Sequence, residues 1–144
     1  MKEQNVRSLS GELVRLSGET LEELNAALRG DVISPDDSRY EDSRQIWNAM
    51  IDRKPALIVR CTGTADVMQA VAFARQLTLL VSVRGAGHNI AGKSLCDEAM
   101  LIDLSGISYV HVDPDRRRAV AGPGATLGDL DHEAQRFGLA VPVG

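Results

Sequence analysis

Apolar positions follow two different patterns that divide the chain near residue 55. Before it they are sparse and take a helical period once, at Leu21, Leu24 and Leu28 within Thr20–Gly30. Thr20 stands as N-cap, acidic residues fill the first turn and Gly30 ends the run, which predicts one short amphipathic helix. Residues 1–19 hold only short apolar fragments and read as a loose arm or short surface structure. Asp31–Ser38 reads as a loop from its Pro and Asp content. The lone Trp47, within Arg44–Asn48, is expected to anchor that segment to the body.

From residue 55 short apolar runs alternate with helical patterns. Pro55–Arg60 and Leu79–Arg84 predict strands, and between them Thr64 is expected to cap a helix with Val67, Val71 and Ala74 on one face. A strand–helix–strand unit of this kind predicts two parallel strands lying side by side. Met100–Leu104 predicts a third strand. Ser108–Val112 and Arg118–Ala121 flank the turn-forming Asp113-Pro-Asp-Arg116 and predict an antiparallel hairpin. Thr126 is expected to cap a last helix with Leu127, Leu130, Ala134 and Phe137 on one side and Gly138 at its end. Leu139–Gly144 reads as the start of a further element. The fold class expected is α+β, with small mixed sheets and flanking helices.

Composition narrows the function. The 144 residues fit one domain; 44% are hydrophobic and 25% charged, as in an ordinary globular chain. With one Trp, two Tyr and two Phe, the core must be aliphatic, and a base-stacking surface for nucleic acid is not expected. A net charge of −4 gives no general attraction to nucleic acid or anionic membranes. The N-terminus lacks the apolar segment of a secretory signal and no stretch is long enough to span a membrane, so the chain reads as soluble and cytoplasmic. Cys61 and Cys96 read as two reduced thiols, and no metal-ligand spacing occurs.

Chemistry concentrates in Val83-Arg-Gly-Ala-Gly-His-Asn-Ile-Ala-Gly92, directly after a predicted strand. Gly85, Ala86 and Gly87 leave the backbone open, so successive N–H groups can form an anion-binding nest, with Arg84 able to add charge beside it. The spacing matches neither the dinucleotide-binding fingerprint nor a P-loop. On glycine spacing alone, an ordinary sharp loop and a phosphate cradle both remain open. His88 sits inside the loop, where a structural role and a catalytic or ligating role are likewise both open. His111 and His132 read as surface or packing residues.

Five segments in order, Pro55-Ala-Leu-Ile-Val, Val83-Arg-Gly-Ala-Gly-His-Asn, Leu101-Ile-Asp-Leu-Ser, Ala121-Gly-Pro-Gly-Ala-Thr and Gly138-Leu-Ala-Val-Pro-Val-Gly144, resemble the FAD-binding domain of the vanillyl-alcohol-oxidase and para-cresol-methylhydroxylase superfamily. Within it the chain is most similar to the berberine-bridge-enzyme-like oxidases and the bacterial hydroxynicotine oxidases. The resemblance implies that residues 39–144 are the first part of such a domain, incomplete at its C-terminal side, with residues 1–38 an arm and short helix before it. It implies FAD as cofactor, its pyrophosphate wrapped by Gly85, Ala86, Gly87, His88 and Asn89 beside Arg84, and covalent attachment of the flavin through His88. Ser94, Pro142 and Gly144 match positions near the cofactor.

The resemblance also implies an FAD-dependent oxidoreductase that, in the intact enzyme, oxidises an alcohol or amine carbon of a small-molecule substrate. No catalytic base and no metal ligand are assigned within these residues, so the 144-residue chain is expected to be inactive by itself. Two rival readings are a non-catalytic nucleotide-binding module and a dehydrogenase or reductase of the same fold holding FAD non-covalently.

Overall fold

The computed structural model describes residues 1–142. In chain order the elements are β1 (Gln4–Arg7), β2 (Leu13–Leu16), α1 (Gly18–Ala26), β3 (Asp31–Ile33), α2 (Tyr40–Ser43), β4 (Leu57–Arg60), α3 (Thr64–Gln76), β5 (Val81–Arg84), β6 (Met100–Asp103), β7 (Val110–Asp113), β8 (Arg118–Ala121) and α4 (Leu127–Gln135). Strands β1–β2 and β7–β8 make two-stranded antiparallel sheets on either side in sequence of a four-stranded mixed sheet. This is the α+β arrangement expected, small mixed sheets with flanking helices.

The four-stranded sheet runs β3-β4-β6-β5. Strands β4 and β5 are parallel as expected, but they are not neighbours: β6 lies between them, parallel to both. The cause is legible in burial. All four residues of β6 are buried, whereas β5 exposes Val83, so the strand that is apolar on both faces takes the centre and β5 the edge. The loop expected at Asp31–Ser38 begins instead with β3, antiparallel to β4, because Val32 and Ile33 find a place in the core. Its Pro35 and Asp36 do fall outside the strand.

Nor are residues 1–19 a loose arm. They form the β1–β2 hairpin, whose Val6 and Leu16 join Leu57, Val59, Met100 and Ile102 in the main core cluster. Backbone bonds to distant residues dock it as well, from the Arg7 amide to the Glu98 carbonyl at 2.7 Å and from the Leu9 amide to the Thr78 carbonyl at 2.9 Å, which is why so polar a stretch gave little sign of order. Helix α1 begins earlier than expected: Ser17, not Thr20, is the N-cap, and its hydroxyl accepts the Thr20 amide at 3.1 Å. Helix α3 is capped by Gly63 rather than Thr64, and it buries Ala70 and Ala74 while leaving Val71 half exposed. Small residues on this face allow close helix–sheet packing.

Asp66, in the first turn of α3, is 2% exposed and accepts four hydrogen bonds, from the amides of Arg29, Gly30 and Thr62 and from the Thr62 hydroxyl, at 2.8–3.1 Å. Burial pushes its carboxyl pKa up, but these donors outweigh burial and hold it below the ordinary 3.8. The β7–β8 hairpin and α4 are as expected. Thr126 caps α4 in a reciprocal box with Asp129, and Gly138 closes it at φ +65°. Of the apolar face expected on α4, Ala134 is buried, Leu130 is partly buried, and Leu127 and Phe137 are exposed.

Candidate functional site

Three parallel strands, β4, β6 and β5, end side by side at Arg60, Asp103 and Arg84. Beyond the carboxyl ends of such strands lies the usual ligand crevice of parallel sheets. Here a polar cleft of about 380 Å³ opens, lined by Arg39, Asp42, Arg60, Arg84, Asp103 and Ser105 among others. The glycine loop leaves β5 at this edge.

Arg84 is the floor of the loop. Its Nε and one Nη reach the two Asp103 carboxylate oxygens at 3.2 and 2.6 Å, and its other Nη donates to the Gln45 carbonyl at 2.9 Å. The pair is 8% and 2% exposed. Asp103 also accepts the Ser105 amide at 3.0 Å. A bidentate pair so enclosed fixes backbone geometry, and the Asp103 carboxylate already balances the Arg84 charge.

Past Arg84 the backbone amides become available. Among the described residues, none of the N–H groups from Gly85 to Ala91 donates to a backbone carbonyl or a side chain. His88–Ala91 are exposed, but Gly87 is buried, where a folded chain ordinarily pairs its backbone donor. Gly87 adopts φ +79°, the left-handed conformation in which nests form. Three of the loop's carbonyls, by contrast, are engaged: Gly87 accepts the Trp47 amide at 3.3 Å, Ile90 the Asn48 side chain at 2.9 Å, and Asn89 the Gly92 amide at 3.1 Å. Unpaired donors beside engaged carbonyls suit an anion.

Gly85 has a second reason to be glycine. A Cβ there would lie 2.2 Å from the Pro123 carbonyl oxygen, so the loop rests on the Gly122-Pro-Gly124 turn. A bulky residue at position 85 would therefore disturb the fold as well as any ligand.

His88 and Asn89 are exposed, and the Asn89 side chain accepts the Lys93 amide at 2.9 Å, closing the turn. Trp47 does not anchor its segment in the core. It is 69% exposed and stacks on His88, with ring centroids 5.8 Å apart and planes at 24°. Ile46 performs the anchoring, packed against the smaller core cluster of Ile33, Tyr40, Ile58, Leu95 and Leu101. Ser94 is buried in the same β5–β6 connection, and its hydroxyl has no partner among the described residues. Pro142 is exposed beyond α4, and Gly144 lies outside the described residues. The structure thus gathers Arg84–Asn89 at one place and adds Trp47 and Asp103, which sequence reasoning missed. Asp103 had one signal, a carboxylate ending an otherwise apolar strand.

Burial pushes the Cys61 thiol up to about 11, leaving it protonated and inert at neutral pH. Among the described residues no group of His, Cys, Asp and Glu is arranged to hold a metal, and no helix is long and apolar enough to cross a membrane.

Fold and loop together define a flavoprotein domain of the para-cresol-methylhydroxylase type. The model of the FAD binding domain family matches residues 55–144, and the chain belongs to that family. It is similar to (R)-6-hydroxynicotine oxidase of Paenarthrobacter nicotinovorans, 38% identical over 82% of this chain and 26% of that protein. The FAD-linked oxidoreductase hasG of Aspergillus fumigatus is 35% identical over 84% of this chain and 26% of its own length. Among solved structures, 6-hydroxy-D-nicotine oxidase from Arthrobacter nicotinovorans superposes with a TM-score of 0.72 at 38% identity, over 77% of this chain and 24% of that one. The berberine-bridge-enzyme-like protein 1 of Physcomitrella patens gives 0.78 at 28% identity, over 87% and 28%. The chain spans about a quarter of the length of the curated relatives it matches.

Proposed function

We propose that this chain supplies the pyrophosphate cradle and the flavin attachment point of an FAD-dependent oxidase. The observation that carries the reading is the unbonded run of amides from Gly85 to Ala91 at the carboxyl edge of the parallel strands. A diphosphate offers acceptor oxygens and negative charge to such a nest. Arg84 acts from below, holding the loop through Asp103 rather than lending charge to the ligand. The Ser94 hydroxyl is buried without a partner among the described residues, and its place near the cofactor is assigned by resemblance. Pro142 and Gly144 are assigned near the cofactor by resemblance alone.

His88 is the attachment residue in this reading, because it is the one histidine on the nest and its ring is exposed beside it. The His88 imidazole would hold the flavin through a bond from one ring nitrogen to a methyl carbon, each partner giving up one hydrogen. In the reaction proposed for the intact enzyme, the flavin accepts a hydride from an alcohol or amine carbon of a small molecule. This chain's residues bind and orient; no substrate base is assigned among them, and the chain alone is expected to show no turnover.

The test is mass spectrometry of a tryptic digest of the intact, yellow protein. The flavin mass is expected on the peptide containing His88, and His88→Ala is expected to make FAD releasable by acid. An unmodified His88 peptide in fully flavin-loaded protein would overturn attachment and leave a non-covalent FAD site.

A further inference from the structure

A strap formed by residues 45–51 lies along the glycine loop and meets it repeatedly. The Gln45 carbonyl accepts Arg84, the Ile46 side chain would lie 3.6 Å from a Cβ at Gly87, and the Trp47 amide donates to the Gly87 carbonyl. The Asn48 amide side chain donates to Ile90 and in turn accepts the Met50 amide, and Ile51 crowds Gly92. Apart from the Gln45 carbonyl, which accepts the Arg84 guanidinium, these contacts engage carbonyls or carbon atoms of the loop. None uses its amides, so the strap fixes the loop's shape while leaving the nest open.

One contact of the strap goes beyond shape. The Trp47 indole stacks on His88 although both residues are exposed. Burial does not account for a large apolar ring standing 69% in solvent. Its backbone is already held by the Gly87 carbonyl and its neighbours Ile46 and Asn48 by their own partners, so the indole is not needed to dock the strap. What it touches is the His88 imidazole, for which no hydrogen-bond partner is found among the described residues.

We propose that Trp47 is a positioning residue, whose indole face sets the orientation in which the His88 imidazole meets the flavin. The proposal rests on the FAD reading of the loop given above. An exposed imidazole otherwise samples several rotamers, and attachment requires one of them. An offset aromatic pair favours its stacked geometry by a population factor of roughly 2- to 10-fold.

The experiment compares the intact protein with Trp47→Ala and Trp47→Phe, each prepared free of flavin and then given FAD. The rate at which flavin becomes resistant to acid precipitation is followed, along with total bound FAD. Trp47→Ala is expected to slow attachment roughly 2- to 10-fold at near-normal FAD occupancy, and Trp47→Phe to restore it to within about twofold. Independently, the ring-proton resonances of His88 in the flavin-free protein are expected upfield in the parent, shifted toward exposed values in Trp47→Ala and intermediate in Trp47→Phe. Attachment at the parent rate in Trp47→Ala, or unmoved His88 ring resonances, overturns the proposal. Slowed attachment that Phe does not rescue also overturns it, since the indole would then serve the fold. A parent protein that binds FAD but never holds it against acid overturns the attachment reading itself, and the role of Trp47 with it.

Discussion

Two glycine loops meet at the Gly85–Pro123 contact, and they use glycine for opposite ends. In Gly122-Pro-Gly124 the amides are spent on the protein: Gly122 donates to the Tyr109 carbonyl at 2.8 Å, Gly124 to Ile107 at 3.0 Å, and Ala125 to Gly122 at 3.0 Å. A Cβ on Gly124 would lie 2.4 Å from the Ser105 carbonyl oxygen. Glycine there is a matter of close packing. In the Gly85–Ala91 loop the amides bond to nothing in the described chain. A third site shows what a filled nest looks like: the amides of Arg29, Gly30 and Thr62 converge on the built-in carboxylate of Asp66. Glycine spacing does not separate these cases; the accounting of backbone donors does.

The largest effect is expected beneath the open loop. Arg84→Ala strands the Asp103 carboxylate in a buried place, at a cost of about 3–5 kcal/mol. Urea denaturation should show a much earlier midpoint, and Arg84→Lys should recover only part of it because an ammonium cannot reproduce the two-point contact. If Arg84→Ala were as stable as the parent but lost FAD, Arg84 would be a ligand residue and not the loop's support.

Next come the two glycine loops themselves. Gly124→Ala must push against the Ser105 and Leu104 carbonyls, and about 1–3 kcal/mol of stability is expected to be lost. At Gly87 a Cβ meets only ordinary contacts near 3.6 Å, so Gly87→Ala carries the left-handed strain of φ +79°, about 1–2 kcal/mol. Its effect on FAD occupancy should exceed its effect on the melting temperature, and Gly124→Ala should show the reverse ordering. Equal FAD loss per unit of stability lost in the two variants would erase the distinction between the loops.

At neutral pH the smallest effect is the filled nest's dependence on charge, which emerges only in acid. The Asp66 carboxyl is held below its ordinary 3.8 in the folded chain, so its contribution is fully present above that value. It is lost as pH falls through the lower folded value, because protonation then favours the unfolded chain. Thermal melts from pH 6 downward should therefore show a steeper loss of stability in the parent than in Asp66→Asn. Parallel curves would remove Asp66 as the anion of that nest.

How much of this was legible beforehand follows from the range of each interaction. Local signals held: the strands at Leu57–Arg60 and Met100–Asp103, the hairpin about Pro114, and the Thr126 cap all rest on residues a few positions apart. The ordered motifs were enough to name the family, because each carries its own side chains. What depended on distant partners was hidden. The place of β6 between β4 and β5 is decided by burial of both its faces, and that of the β1–β2 hairpin by Val6 and Leu16 docking against Leu57, Val59, Met100 and Ile102, more than 40 positions later in the chain. Arg84 looked like a free cation because Asp103 lies nineteen residues away, and Trp47 looked like a core anchor because nothing local pairs it with His88.

The central claim concerns the amides of one loop, and hydrogen exchange reads them one at a time. In the intact protein without flavin, the N–H groups of Gly85–Ala91 are expected to exchange quickly, while those of Gly122, Gly124 and Ala125 are protected. When FAD is bound, the first set should slow by orders of magnitude and the second should not change. Loop amides that are already protected without FAD, or that stay fast when the flavin is fully bound, would contradict the assignment of Gly85–Ala91 as the pyrophosphate cradle.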